Sequence, residues 1–214
     1  MRVIAGLLSL AAALGAIALQ AAPGAPSLCP KFDLTYLQPA NLRCGRSCGR
    51  DRWPVKTLTD RDRQRVSVEP VATTVESLAT IPRPAQRPYD RRVGPTETTI
   101  FCVEGMIYDD GGKLEAVRPQ ADGDIHVVVS GLEDSRVTVI AEIPDPRCNL
   151  VCSSGFAHLY ATARERLEAR LRVWTRDTLR IRIAGVGFFD RNHGQYGAAP
   201  NFIELHPVLA IEFP

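Results

Sequence analysis

The chain has 214 residues, with 26 Lys and Arg against 24 Asp and Glu, which gives a formal net charge of +2. This length suffices for one domain with a sizeable core and an additional arm. The charge is unevenly divided, because residues 29–95 carry 13 basic and 7 acidic side chains (+6) and residues 96–214 carry 12 and 17 (−5). A phosphate-binding surface needs a positive footprint, so the acidic second half gives no strong indication of nucleic-acid binding.

The chain begins like a secretory signal peptide. Met1-Arg2 is followed by an uncharged apolar run to about Ala22, and small residues stand where cleavage would fall. We therefore expect residues 1–22 to be removed and the mature protein to be periplasmic or extracellular. The alternative is a retained anchor, because the run approaches the ~20 residues that span a bilayer. No later segment is apolar enough to cross a membrane.

Six cysteines lie after the predicted cleavage point, and an even number in an exported chain indicates disulfides. The sequence cannot choose among the possible pairings. Two C-x3-C pairs could instead form a four-thiolate zinc site, but the oxidising compartment favours disulfides. The candidates are Cys29, Cys44, Cys48, Cys102, Cys148 and Cys152.

The segment from residue 23 to residue 95 is predicted to be a proline-rich, basic arm and linker. Its prolines exclude one continuous element. A short helix is expected where Thr73 and Glu76 have capping-box spacing, and Pro82 would end it. The arginines at positions 43, 46, 50, 52, 61, 63 and 65 indicate either a patch for an anionic polymer or a solvated arm whose charge is largely cancelled by interleaved aspartates.

Residues 96–214 are predicted to form the folded domain. Alternation of apolar and polar residues indicates strands over 96–108, 124–130, 136–143, 179–189 and 203–213. Between the third and fourth strands an apolar stripe of period 3.6, from Phe156 to Trp174, predicts a helix that Ser153 or Ser154 would cap.

This order of elements is that of the OB-fold. We therefore predict a mainly β (α+β) fold, a five-stranded OB-like Greek-key barrel with one helix between strands 3 and 4, preceded by the irregular arm. Another α+β sandwich with the same element order is the alternative.

Two motifs resemble those of staphylococcal-nuclease-like barrels. They are Asp122-Gly123-Asp124 before the second strand and VTVIAEIPDP, which closes the third strand on Asp145. The resemblance implies that Asp124 and Asp145 are carboxylates that bind calcium. That family also has an arginine late in the third strand and a glutamate after it, where this chain has Ile140 and Cys148. These two differences from the family argue against nuclease activity, but they do not argue against the barrel fold.

More of the chain resembles a group of uncharacterised exported bacterial proteins. The similar segments cover most of the mature chain, and the resemblance implies no established activity. They are VKTLTD, PVATTVESL, GDIHVVV, IAEIPDPRC, GVGFFDRNHGQ and ELHPVLAI.

Polar side chains of the second, third and fifth strands fall on one face. His126, Glu142, Glu204 and His206 all have the phase opposite to the apolar side chains of their strands. With Asp190 or His193 from the loop after the fourth strand, they could bind zinc or a similar divalent cation. The alternative is a hydrogen-bonded surface network, because outward-facing polar residues on an antiparallel sheet are ordinary.

The chain contains none of the common nucleophile or nucleotide-binding motifs, and no catalytic residue is predicted. Three function classes remain. The sequence favours a non-catalytic exported binding or structural module of unknown ligand and partners, with no cofactor beyond a divalent cation. The alternatives are a divalent-metal-dependent hydrolase that uses the His/Glu/Asp face, and a binder of anionic polymer or polysaccharide through the basic arm.

Overall fold

The computed structural model describes residue 29 and residues 44–108, 116–152, 154–175 and 178–214. The predicted signal peptide lies outside the described residues. Among the residues described, no helix is both long and apolar enough to cross a membrane.

The arm contains short elements. In chain order they are helix α1 (Trp53–Lys56), a 3-10 turn (Arg63–Arg65), strand β1 (Val71–Thr73) and helix α2 (Val75–Ala79), and a second 3-10 turn (Thr96–Thr98) opens the barrel domain where the first strand was expected to begin. Helix α2 confirms the expected helix, but its cap is Thr74, whose side chain accepts a hydrogen bond from the Ser77 amide at 3.1 Å. Thr73 is not the cap because it ends β1.

The remaining elements follow the predicted order. They are β2 (Ile100–Tyr108), β3 (Val117–Pro119), β4 (Ile125–Ser130), β5 (Thr138–Ile143), α3 (Ala157–Arg172), β6 (Thr178–Phe189) and β7 (Ile203–Glu212). Strands β1 and β3 were not predicted, because three residues are too few for a recognisable alternation.

Five of the strands close into a barrel in the order β2-β6-β7-β5-β4, and β4 pairs back with β2. The β5–β7 pairing is parallel, and the other pairings within the barrel are antiparallel. The predicted five-stranded OB-like barrel is thereby confirmed, with α3 between its third and fourth strands, β5 and β6. Strand β1 adds to β2 in parallel, and β3 extends the sheet from β4.

Helix α3 packs on the barrel through its predicted apolar stripe. Tyr160, Ala163 and Leu167 are buried, and the Tyr160 hydroxyl donates to the Thr57 carbonyl of the arm at 3.0 Å. The helix begins later than expected, and its cap residue, Phe156, forms no side-chain cap. Ser154 is therefore not the cap, and Ser153 lies outside the described residues.

Three disulfides join the arm to the barrel domain, so the predicted oxidation of the cysteines is confirmed. The pairs are Cys29–Cys102, Cys44–Cys152 and Cys48–Cys148. The two C-x3-C pairs are bonded to each other, which consumes the four thiols that a zinc site would have needed.

A buried ion pair, Arg52–Glu97, holds the arm against the barrel, and a second one, Arg92–Asp60, lies within the arm. The guanidinium of Arg52 binds both carboxylate oxygens of Glu97, at 2.6 and 2.7 Å, and Arg92 binds Asp60 at 2.7 Å. All four side chains are buried. The expectation that Arg52 belongs to a solvated basic segment is therefore wrong, because this arginine makes a buried contact between arm and barrel.

Candidate functional site

The polar residues predicted to share a face do converge. His126 and Glu142 are direct cross-strand partners, with Nδ1 and Oε1 3.3 Å apart. Across the parallel β5–β7 pairing, Nδ1 of His206 lies 2.8 Å from Oε2 of Glu142, and it lies 3.9 Å from Oε2 of Glu204 on its own strand. These four side chains, with Asp124 and Lys56, are called the polar cluster below.

The cluster is buried, which differs from the surface network that the sequence suggested. The exposed fraction is 0% for His206 and Asp124, 2% for Glu204 and 4% for Glu142. The reason is that this face is covered by α1 and by the loop 190–202. The loop packs closely, since a Cβ on Gly197 would lie 2.5 Å from a methyl group of Val128.

Asp124 enters the cluster from the tight turn before β4. Gly123 has a φ of +101°, which a side-chain-bearing residue rarely adopts. A Cβ at this position would also lie 3.2 Å and 3.3 Å from the sulfurs of Cys48 and Cys148. The turn therefore rests on a disulfide, and it places Oδ2 of Asp124 3.2 Å from Nε2 of His206.

Lys56 reaches the cluster from the arm. Its Nζ lies 3.6 Å from Oε2 of Glu142 and 3.8 Å from Oδ2 of Asp190. Burial by itself lowers the pKa of Lys56, but the carboxylates of Glu142, Glu204 and Asp190 outweigh burial and raise the pKa above its ordinary value. Lys56 is therefore a buried cation at neutral pH.

Residues of the loop 190–202 complete the wall of the site. The Gln195 amide donates to Oδ2 of Asp190 at 3.1 Å and to Oε1 of Glu204 at 3.0 Å. Nε2 of His193 lies 3.1 Å from Oδ2 of Asp190. Nε2 of His126 lies 3.1 Å from the Tyr196 carbonyl, which ties the loop to β4.

The carboxyl groups of the cluster have pKa values that move in opposite directions. Burial and the charge of Glu142 raise the pKa of Glu204 to about 8. Burial also opposes ionisation of Glu142, but the histidines His126 and His206 hold its pKa well below the ordinary value. Burial and Lys56 lower the pKa of His206, yet Asp124 and Glu142 together raise it well above the ordinary value. Such separation of pKa values is typical of functional sites.

Several atoms of the cluster have no hydrogen-bond partner among the described residues. They are both carboxylate oxygens of Asp124, Oε2 of Glu142, Oε2 of Glu204 and both ring nitrogens of His206. His206 is within 3.2 Å of two carboxylates, but without hydrogen-bond geometry. Asp124, Glu142 and His206 each offer a ligand atom within 4.8 Å of the others, which suits a divalent cation.

A cavity of about 210 Å³ connects the cluster to solvent. Lys56, His126 and Glu142 line its inner end, and Arg50, Asp122 and Arg191 are among the residues around it. Glu204 and His206 lie behind this wall. A small molecule could therefore approach Glu142 directly, but it would not touch all members of the cluster.

Asp145 is engaged elsewhere. Its carboxylate accepts hydrogen bonds from Arg147 at 2.8 and 3.0 Å and from Arg46 at 2.8 Å. Asp124 thus joins the cluster without the second carboxylate that the nuclease resemblance implies.

The exposed arginines of the arm are partly paired. Arg61 lies 3.4 Å from Asp90 and Arg65 lies 3.5 Å from Asp62. Arg43 lies outside the described residues. Aspartates of the arm, one of them interleaved with these arginines, therefore cancel part of the positive charge that the sequence predicted for this segment.

Sequence reasoning missed Lys56 and Gln195 as members of the site. Lys56 follows Val55 in a one-turn helix of the arm, and nothing local indicates which part of the barrel this helix covers. Gln195 lies in the same loop as the predicted residues Asp190 and His193, so its place near the site was predictable, but its hydrogen bonds were not.

Comparison of the chain with protein-family models, with curated proteins and with solved structures found no match in any of the three.

Proposed function

We propose that this is an exported, divalent-metal-dependent hydrolase whose metal ligands are Asp124, Glu142 and His206. The observation that carries the proposal is the set of buried carboxylate and imidazole atoms without hydrogen-bond partners, next to a solvent-connected cavity. Buried polar groups are nearly always paired, and several of these atoms have ion-pair contacts but no hydrogen bond of good geometry, so a bound cation would supply the missing partner. Of the three ligands, Glu142 lines this cavity, and a set of three protein ligands is also the arrangement of catalytic zinc sites.

The surrounding residues fit such chemistry. A divalent ion at this place would polarise a substrate oxygen or a water molecule. Lys56 supplies a second positive charge at the cavity wall, where it would stabilise negative charge that develops on the substrate. His126 orients Glu142, and Gln195 orients Glu204, so two of the carboxylates are held by groups that are themselves fixed by the loop.

A non-catalytic module, which the sequence favoured, is the second candidate here, because Lys56 can act as the internal cation. Its ammonium lies 3.6 Å from Glu142 and 3.8 Å from Asp190, and with His206 it offsets much of the negative charge. In this case the cluster is a structural network that holds the loop 190–202 in place for an unknown ligand.

Metal analysis separates the two candidates. Protein purified from a periplasmic extract is expected to retain a stoichiometric divalent metal, and a chelator should lower its melting temperature. His206→Ala and Asp124→Asn should abolish metal retention, whereas His158→Ala, on α3 and outside the cluster, should leave it unchanged. Hydrolysis of chromogenic phosphate and carboxylic esters should follow the metal content. If the purified protein contains no metal and a chelator does not change its melting temperature, the non-catalytic module becomes the leading candidate.

Export is proposed from the apolar N-terminal run, and the three disulfides are compatible with it. Mass spectrometry of the mature protein should give an N-terminus near Ala22 and no thiol that reacts with iodoacetamide. An intact Met1 together with several reactive thiols would contradict export.

A further inference from the structure

A second and larger cleft lies on the same face of the sheet as the polar cluster. Its volume is about 530 Å³. The cross-strand pairs His126–Glu142, Val128–Ile140 and Ser130–Thr138 follow one another along β4 and β5, so the floor of the cleft continues the face that carries the cluster. The loop 190–202 crosses this face at Val128 and separates the cleft from the smaller cavity. Gln195 lines both.

Hydroxyl groups dominate the polar lining of the cleft. They belong to Tyr108, Ser130, Ser135 and Thr138, and none of the four has a hydrogen-bond partner among the described residues. None of these hydroxyl oxygens is a buried atom without a partner, so all four are open to solvent. These hydroxyls are therefore free to donate to and accept from a ligand.

The cleft carries little charge and has an aromatic edge. The charged side chain that lines it is Arg136, whose guanidinium is bonded to Asp134 at 2.8 and 2.9 Å. Tyr196 borders the cleft and is 45% exposed. Nucleic-acid binding depends on unpaired Lys and Arg that neutralise phosphates, and the described residues that line this cleft offer none. An aromatic ring beside unpaired hydroxyls suits the apolar face and the hydroxyl rim of a sugar.

We propose that this cleft binds a neutral oligosaccharide. Its volume falls within the ~300–1,000 Å³ typical of ligand pockets. Each sugar hydroxyl both donates and accepts, which matches the lining hydroxyls, and Tyr196 stacks on a ring face. The proposal does not depend on the metal site, although a chain long enough to pass the loop would reach from the cleft toward the cavity.

Calorimetric titration of the full, disulfide-bonded protein with chitotetraose, cellotetraose and maltotetraose tests the proposal. At least one of these probes is expected to bind saturably. Tyr196→Ala should weaken its binding by about tenfold or more, the equivalent of ~1.4 kcal/mol. Thr138→Val, which removes one hydroxyl at nearly constant volume, should weaken it less. The matched control is Tyr89→Ala, because Tyr89 is a 62% exposed tyrosine of the arm that does not line the cleft.

The same titration distinguishes this proposal from the proposed hydrolase. Chelated wild-type protein should bind the oligosaccharide as well as untreated protein does. Absence of saturable binding to all three probes would overturn the proposal, and so would equal losses in Tyr196→Ala and Tyr89→Ala. Tighter binding of a thymidine oligonucleotide than of any sugar would overturn it as well, in favour of a nucleic-acid site.

Discussion

Glu97 accepts four hydrogen bonds at the junction of arm and barrel. Arg52 supplies two of them, and the amides of Val93 and Phe189 supply the others at 2.7 and 3.0 Å. Glu97→Ala would leave the Arg52 guanidinium buried without its carboxylate, and removal of one partner of a buried pair costs about 3–5 kcal/mol. We expect that loss in the free energy of unfolding measured with urea.

The control for Glu97→Ala is Asp90→Ala, which breaks the exposed Arg61–Asp90 pair. Exposed pairs contribute little because water and salt screen them, so Asp90→Ala should change the unfolding free energy hardly at all. Similar small losses in both variants would mean that Arg52 finds other acceptors, such as the carbonyls of Pro88 and Arg91 that it already contacts.

At the scale of single residues, the sequence predicted which face of the sheet a side chain occupies more accurately than whether that side chain is buried. Period-two alternation placed His126, Glu142, Glu204 and His206 on one side of the sheet, because alternation is a local property of a strand. Their burial depends on α1 and on the loop 190–202, which cover them through non-local contacts. Lys56 was missed for the same reason, since its partners lie far along the chain.

At the scale of elements, two disulfides that join cysteines at nearly equal sequence separations differ in the segments that they lie against. Cys48–Cys148 and Cys44–Cys152 close separations of 100 and 108 residues, so removal of either should cost a similar amount, about 2–5 kcal/mol. The sulfurs of Cys48–Cys148 contact the turn at Gly123, immediately before Asp124. We therefore predict that replacing both cysteines of this pair by serine weakens binding of zinc, whereas the Cys44/Cys152 double variant binds zinc normally.

Calorimetric zinc titration and urea unfolding of the two double variants check this prediction together. Equal zinc affinity in both variants would show that Asp124 keeps its position without the disulfide. Weaker zinc binding in the Cys44/Cys152 variant alone would contradict the role assigned to the turn.

The long elements could be predicted and the short ones could not. The barrel strands and α3 carry enough residues for their periodicity to be read, whereas β1 and β3 have three residues each. Caps were predicted less accurately, because Thr73 and Thr74 are both suitable residues and only the pairing of β1 with β2 decides between them.

At the scale of the whole molecule, the arm and the barrel should unfold together. Three disulfides and the buried Arg52–Glu97 ion pair cross between them, and the arm residue Trp53 is buried with an exposed fraction of 6%. In a Trp174→Phe background, fluorescence reports on Trp53 alone, while far-UV circular dichroism reports largely on the barrel and α3. We expect the two melting curves to coincide. An earlier fluorescence transition would mean that the arm detaches before the barrel melts.

The pairing of the cysteines also bears on how the protein is made. Cys29, Cys44 and Cys48 are synthesised first, and each is bonded in the structure to a partner at position 102 or later. A chain that enters an oxidising compartment N-terminus first therefore presents three thiols whose correct partners have not yet arrived. Any bond formed at that stage is non-native and must be exchanged later. Correct maturation would then depend on a disulfide isomerase, or on delaying oxidation until residue 152 has emerged.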